Sequence, residues 1–158
     1  MSFVIDIQHA CDNPVPVRDD LLIKWAESAL SEHQESAELT LRIVNIDEIQ
    51  QLNNDYRHQN KATNVLAFPS VIPDGIELEY PLLGDVIICP EVLEKESLEL
   101  KKPLEEHWAH IVIHGVLHLL GYDHIKDDDA FLMQVEEIKL LLELGFTNPY
   151  PIEEEEVE

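Results

Sequence analysis

The pattern of hydrophobic and polar positions along the chain predicts short strands that alternate with helices. Apolar and polar residues alternate where strands are expected, and apolar residues recur every three or four positions where helices are expected. The predicted strands are FVIDIQ (3–8), ELTLRIVN (38–45), ATNVLAFP (62–69) and GDVIIC (84–89). The predicted helices cover 21–33, 47–57, 91–101 and 128–144, and a further one runs from Pro103 into a histidine-rich segment.

Two segments are expected to lack regular structure. Residues 69–83 contain Pro73, Gly75 and Pro81, which predict a long loop. The tail PIEEEEVE (151–158) is a block of like charges, and we expect it to be disordered. The remaining length, 1–150, corresponds to a single domain that can bury a hydrophobic core without cross-links.

Composition changes this picture mainly through charge. Hydrophobic residues make up 45% and charged residues 27% of the chain, as in globular proteins. Ten Lys and Arg residues face 33 Asp and Glu residues, which gives a net charge of −23. Such a chain repels nucleic acid unless its positive charge is concentrated in one place. No apolar run is long enough to span a membrane, and Cys11 and Cys89 form no CxxC pair, so we expect a cytoplasmic protein.

The segment HGVLHLLGYDH (114–124) carries three imidazoles among apolar residues. His114 and His118 are one helical turn apart, so both project from one face about 6 Å apart, as ligands of one metal ion require. In a continuous helix, His124 would lie about 9 Å farther along and about 240° around the axis. Gly121 removes this conflict, because glycine can end a helix in the left-handed conformation and let the chain turn back.

Two helical ligands and a returning third histidine make a three-nitrogen site with an open position, which is the catalytic type of zinc site. A buried helix that is merely rich in histidine is the alternative, and the spacing disfavours it. Nickel, copper or cobalt would bind the same set in vitro. We expect His107 and His110 to pack or to support ligands, because His110 and His118 are about 12 Å apart along the helix.

The spacing HxxxHxxGxxH is that of the metzincin peptidases, in which the residue after the first histidine is the glutamate that activates water. Gly115 occupies that position here and cannot take a proton, so a peptidase would lack its general base. Asp123 could serve as a base instead, although a role in supporting the third ligand or the turn is favoured.

The histidine segment resembles the signature of the YbeY family of bacterial rRNA maturation factors. The resemblance extends to LNNDYR (52–57), TNVLAFP (63–69) and LGDVII (83–88), which follow the family's order and spacing. It implies an α+β fold, in which a small mixed β-sheet of about four strands is packed by about five helices around a central metal-binding helix with a metzincin-like zinc motif. It also implies a zinc-dependent, single-strand-specific endoribonuclease that acts in 16S rRNA 3′-end maturation and ribosome quality control.

By motif match, the resemblance makes His114, His118 and His124 the ligands of one zinc ion and Arg57 the catalytic arginine. A guanidinium can hold a phosphate with two hydrogen bonds and stabilise its developing charge. From the residues alone, Arg57 is more simply a cation that stabilises the end of its helix, and the resemblance reverses that preference.

Four other side chains lie in or near these motifs. Lys61 forms with Arg57 the sole basic pair near a motif and would help to bind a few nucleotides. Asp85 is a base or a structural acid, with the structural role favoured. Tyr56 and Phe68 are expected to be core residues rather than platforms on which bases stack.

The acidic charge predicts weak affinity for single-stranded RNA in the isolated chain, which is expected to be a monomer. Basic surfaces of partners would meet the acidic helices, and the resemblance points to rRNA, the small ribosomal subunit, a ribosomal protein and an assembly GTPase. One alternative is a non-catalytic ribosome-assembly factor with a structural metal, which would keep its function after Arg57→Ala. Another is a metal-dependent hydrolase of a different class, such as a peptidase.

Overall fold

The computed structural model describes residues 2–71, 75, 81–122 and 127–150. Within these ranges the chain forms four strands and five helices. In chain order they are β1 (Ser2–Ala10), α1 (Asp19–Leu30), β2 (Ser36–Val44), α2 (Ile46–Arg57), β3 (Val65–Pro69), β4 (Leu82–Ile88), α3 (Pro90–Leu100), α4 (Leu104–Leu119) and α5 (Asp127–Glu143). The predicted strands and helices are confirmed, with bounds that shift by a few residues. Most of the predicted loop and the whole acidic tail lie outside the described residues.

The four strands form one mixed sheet in the order β1-β2-β4-β3. β1 pairs in parallel with β2 along its whole length, from Ser2 opposite Ser36 to Ala10 opposite Val44. β2 pairs in parallel with β4, whereas β3 runs antiparallel to β4 and lies at the edge of the sheet. One edge of the sheet is therefore formed by the strand that follows α2.

Two hydrophobic clusters lie on opposite faces of the sheet, because successive strand residues point to opposite sides. Leu41 and Val86 belong to the larger cluster, which also contains the buried faces of α1 and α4. Leu66 and Ile87 belong to the smaller cluster, together with Ile49 of α2. The sheet therefore separates α2 from α4, and the two helices come near each other only around its edge.

α4 packs against β3 and β4 and also contacts α1, α3 and α5. Eleven of its 16 residues are buried, among them His107 and His110. His114 and His118 are only half-buried. None of the helices in the described ranges is long and apolar enough to cross a membrane.

Gly115 allows α4 to approach the sheet closely. A Cβ atom at this position would lie 2.5 Å from Cγ1 of Val86 and 3.3 Å from Cγ2 of Val65. Val86 is fully buried, and β-branched side chains have restricted rotation, so it cannot turn away freely. Any side chain at position 115 therefore requires the helix or the sheet to move.

Candidate metal centre and adjoining cleft

A cleft of about 680 Å³ opens at the β3 edge of the sheet. One wall is formed by the end of α2, the loop after it and β3, and the other by α4 with the turn that follows it. Arg57, His114 and His118 all line it. Its volume lies in the range of sites that hold a small ligand or one unit of a larger one.

The two histidines of α4 point their side chains toward each other. Nε2 of His118 lies 3.2 Å from Nε2 of His114. Two nitrogen ligands of a tetrahedral zinc ion, with bonds of about 2.05 Å, are separated by about 3.3 Å. The pair therefore has the spacing that chelation of one ion requires, and imidazole nitrogens suit zinc.

The helix ends where the sequence predicted. Gly121 adopts a φ of +105°, in the left-handed region that glycine favours, and its N–H donates to the carbonyl oxygen of His118 at 3.1 Å. Tyr122 N–H donates to the Leu117 carbonyl oxygen at 3.0 Å, which closes the last turn. The residues predicted to follow as ligand and neighbour, His124 and Asp123, lie outside the described residues.

Glu137 of α5 holds His114 from the side opposite its Nε2 atom. The carboxylate is 1% exposed and accepts hydrogen bonds from His110 Nε2 at 2.7 Å, Tyr150 OH at 3.1 Å and His114 Nδ1 at 3.3 Å. When Nδ1 of His114 carries the proton, Nε2 keeps its lone pair for a metal ion. Glu137 therefore fixes the form of His114 that can act as a ligand.

The charge of Glu137 persists despite its burial. Burial raises the pKa of the carboxyl, but hydrogen bonds from His110 and His114 outweigh burial and lower the pKa to about 2. Burial and the Glu137 charge raise the pKa of Tyr150, so the phenol stays protonated and donates. At neutral pH, a charged carboxylate thus lies behind the histidine that lines the cleft.

Sequence reasoning missed Glu137, although the sequence contains a signal. Met133, Leu140 and Leu141 are buried on α5, and Glu137 lies on the same helical face between them. An acidic residue inside an apolar stripe calls for a buried partner. The sequence does not show which residue that partner is, because His114 lies on another helix.

Two other clusters in the described part of the chain have the composition of a metal site. One comprises His110, His114 and Glu137, and the other comprises Glu32, His33 and Glu136. In the first cluster, the Glu137 oxygens already accept hydrogen bonds from the imidazoles. The second lies at the surface, where Lys139 Nζ is 2.6 Å from the Glu32 carboxylate. Neither cluster contains both His114 and His118, whose Nε2 atoms lie 3.2 Å apart beside the cleft.

His107 and His110 lie deeper in α4, and each binds a carboxylate. His107 Nε2 lies 2.9 Å from Oε1 of Glu96, which also accepts a hydrogen bond from the Asn64 side chain at 3.3 Å. Burial lowers the pKa of His107. Since Asn64 lines the cleft, the His107–Glu96 contact connects α4 with the loop in front of β3.

Arg57 lies in the last turn of α2 and is exposed. Across the described ranges, its guanidinium has no hydrogen bond or ion pair, whereas Arg42 is bound by Glu48 at 2.8 Å. An unpaired guanidinium that borders a cleft can bind an anionic group with two hydrogen bonds.

Lys61 does not line the cleft. It is exposed in the loop after α2, where its carbonyl oxygen accepts a hydrogen bond from the Asn53 side chain at 3.0 Å. This bond fixes the backbone near Arg57 and leaves the lysine side chain in solvent.

Asp85 also lies apart from the cleft lining. It is exposed on β4 opposite Phe68, and its neighbour Val86 faces Gly115 of α4. Because neighbouring strand residues point to opposite faces, the Asp85 side chain points away from α4 and its histidines.

Tyr56 differs from what the sequence predicted. Its side chain is 66% exposed at the cleft, so the prediction that it belongs to the core was wrong. Phe68 packs against the smaller core cluster as predicted. The two ring centroids are 5.2 Å apart with an interplanar angle of 61°. Among the described residues β3 is the edge strand, so none of their strands lies beyond Phe68 to cover Tyr56.

These features define a small α+β protein with a cleft lined by two histidines at chelating distance and by an arginine that has no partner among the described residues. The family model described as Endoribonuclease YbeY matches residues 8–145. The chain belongs to this YbeY endoribonuclease family.

Curated relatives named Endoribonuclease YbeY are similar over nearly the whole chain. One from Legionella pneumophila (strain Corby) is 56% identical over 158 residues, 100% of both chains. One from Colwellia psychrerythraea is 51% identical and covers 95% of this chain and 98% of its own. The solution structure of a Thermotoga maritima protein is 27% identical, with a TM-score of 0.60 over 87% of this chain and 88% of that one.

Proposed function

We propose that the protein is a zinc-dependent endoribonuclease that cuts single-stranded RNA and acts in 16S rRNA 3′-end maturation and ribosome quality control. The observation that carries the proposal is the cleft, in which two imidazole nitrogens 3.2 Å apart share one space with the Arg57 guanidinium, which no other described residue binds. Family membership supports the reaction class, because the relatives' name describes cleavage within an RNA chain.

The metal would be held by His114, His118 and His124. The fit rests on the Nε2 spacing and on the Glu137 carboxylate, which keeps a proton on Nδ1 of His114. Held by these residues, zinc would supply Lewis-acid chemistry, which activates water or polarises a phosphoryl oxygen. Nickel or another divalent ion would bind the same nitrogens in vitro.

Arg57 would bind the scissile phosphate and stabilise the negative charge that develops on it. Its position at the end of α2 leaves the guanidinium free to reach a phosphate in the cleft. Lys61 would contact the RNA outside the cleft. Asp123, beside the third ligand, would support that ligand, and Asp85 has a structural role on the far face of the sheet.

The alternatives have less support. A metzincin-type peptidase needs a glutamate at position 115, where a side chain would collide with Val86. A structural zinc site is normally closed by a fourth protein ligand. The histidine pair instead borders a cleft of about 680 Å³, which leaves room for a substrate.

We place this activity in a single catalytic domain over 1–150, in a cytoplasmic monomer; the acidic segment 151–158 lies outside the described residues and has no part in the proposed reaction. The net charge of −23 opposes RNA binding outside the cleft. Partners with basic surfaces, namely a ribosomal protein of the small subunit and an assembly GTPase, would therefore help to bring rRNA to the protein. Tight binding of RNA by the isolated chain at physiological salt would contradict this need for partners.

The test is cleavage of a labelled single-stranded RNA by zinc-loaded protein, beside Arg57→Ala and Arg18→Ala. Arg18 is an exposed arginine outside the cleft and serves as the matched control. Arg57→Ala should retain zinc and lose about 10²- to 10³-fold in cleavage rate, because one donor to the developing charge is removed. Arg18→Ala should cut like the wild type. Equal cutting by all three proteins would remove Arg57 from the mechanism.

A further inference from the structure

The exposure of Tyr56 is unusual for an aromatic side chain in this protein. In the part of the chain that the structure describes, only Tyr56 and Phe131 are exposed aromatic residues, each at 66%. Tyr56 lines the cleft, and Phe131 does not. Leaving an aromatic ring in water forgoes the free energy of burying it, so a ring beside a substrate cleft is a candidate contact for the substrate.

Tyr56 is held in place although it is exposed. Phe68, anchored in the smaller core cluster, contacts it in an edge-to-face arrangement with the centroids 5.2 Å apart. A tyrosine has few rotatable bonds, so a ring supported in this way loses little conformational entropy when a ligand stacks on it. The arrangement is a supported flat surface that remains open to solvent.

The neighbours of Tyr56 indicate which ligand would use this surface. Arg57 is the next residue and presents to the same cleft a guanidinium that has no partner in the part of the chain that the structure describes. A planar ring beside a phosphate-binding cation matches one nucleotide, whose base is flat and whose phosphate is anionic. The cleft, at about 680 Å³, has room for such a unit.

The charge of the protein strengthens this assignment. Nucleic-acid binding usually draws its affinity from many phosphate contacts, but this chain has 10 Lys and Arg residues and a net charge of −23. Stacking on an aromatic ring supplies affinity without cations and works for every base. It also requires a base that is not paired, since bases inside a duplex do not present their faces.

We propose that Tyr56, supported by Phe68, is the platform on which one unpaired RNA base stacks, beside the phosphate that Arg57 binds. This inference rests on the proposed ribonuclease function. It makes Tyr56 a residue that favours single strands, because a stacking contact is available to an unpaired base and not to a base inside a duplex.

The experiment compares wild type, Tyr56→Ala, Tyr56→Phe and Phe131→Ala, all zinc-loaded, on a short single-stranded RNA that carries one 2-aminopurine. Phe131→Ala removes an equally exposed ring outside the cleft. Tyr56→Ala should raise KM between about fivefold and about a hundredfold while kcat changes little. Tyr56→Phe should restore the low KM, because the ring is kept, and Phe131→Ala should leave KM unchanged.

A second measurement reports stacking directly. The fluorescence of 2-aminopurine is quenched when the base stacks, and rapid mixing records it before cleavage. Wild type and Tyr56→Phe should quench it, and Tyr56→Ala should not. Equal KM and equal quenching by wild type and Tyr56→Ala would overturn the platform while leaving the nuclease intact. If wild type fails to cut, the proposed function fails, and the quenching still decides whether Tyr56 stacks a base.

Discussion

The α4 wall of the cleft is packed and held, whereas the α2 wall is exposed. On the α4 side, His114 is bound by the buried Glu137 carboxylate, and Gly115 lies against the sheet with no space for a Cβ atom. On the α2 side, Arg57 has no partner among the described residues, and Tyr56 is 66% exposed. A reacting centre needs ligands fixed to within about 0.5 Å, whereas the binding of an RNA strand needs side chains that are open to solvent. Under the proposed function, the α4 wall would position the metal ligands and the α2 wall would bind the RNA.

The largest effect is expected from a change in the α4 wall. His118→Ala removes one of two nitrogens 3.2 Å apart, so zinc should be lost and cleavage should fall to the level of chelator-treated protein. Zinc content measured beside the cleavage rate checks this. His33→Ala, a histidine bound to Glu136 outside the cleft, is the control. Arg57→Ala, on the α2 wall, is expected to keep its zinc. If His118→Ala also kept one zinc ion per chain, the α4 wall would not be the wall that binds the metal.

A smaller effect is expected from a change of Glu137, which binds the proposed metal ligand His114. Glu137→Gln keeps the size of the side chain but removes the charge that favours a proton on Nδ1 of His114, so zinc affinity should fall about 10- to 100-fold. Titration against a competing chelator measures the change. Glu136→Gln, the neighbouring carboxylate on α5, pairs with His33 and should leave zinc affinity unchanged. Similar affinities for both variants would mean that Glu137 only stabilises the fold.

The smallest effect is expected on stability. Gly115→Ala places a Cβ atom 2.5 Å from Val86, which should lower the free energy of unfolding by about 1–3 kcal/mol despite the better helix propensity of alanine. Denaturant unfolding measures this. In a Val86→Ala background the same change should cost much less, because the colliding Cγ atoms are gone. If Gly115→Ala and Val86→Ala change the free energy of unfolding additively, the close approach of α4 to the sheet is not the reason for glycine at position 115.

Much of the fold and part of the site could be predicted because the relevant signals are local. Helical spacing alone places His114 and His118 on one face, and the left-handed Gly121 ends the helix as expected. The histidine pair is therefore a property of a single helix, and no knowledge of the sheet is needed to derive it.

The remaining parts of the site depend on contacts between distant segments. Glu137 lies 23 residues from His114 and meets it only because α5 packs on α4. Tyr56 continues the apolar spacing of α2, so the sequence predicts that it is buried. In the structure, α2 reaches the edge of the sheet at that turn, and Tyr56 is exposed. The sequence linked Arg57 to the histidines only through the family resemblance. The spacing of residues within α2 does not predict which side chains of α4 lie near them.

The fit of Gly115 against the sheet also has an evolutionary consequence. To gain peptide hydrolysis, this scaffold would need a carboxylate beside His114, and the space for it must come from Val86 and Val65 together. Shortening the valines first would leave a cavity, and adding the carboxylate first would force an overlap, so each single step passes through a less stable protein. Gly115 therefore hinders a change to peptide hydrolysis by single substitutions. A laboratory selection for peptide hydrolysis should start from a library that varies Gly115, Val86 and Val65 at once.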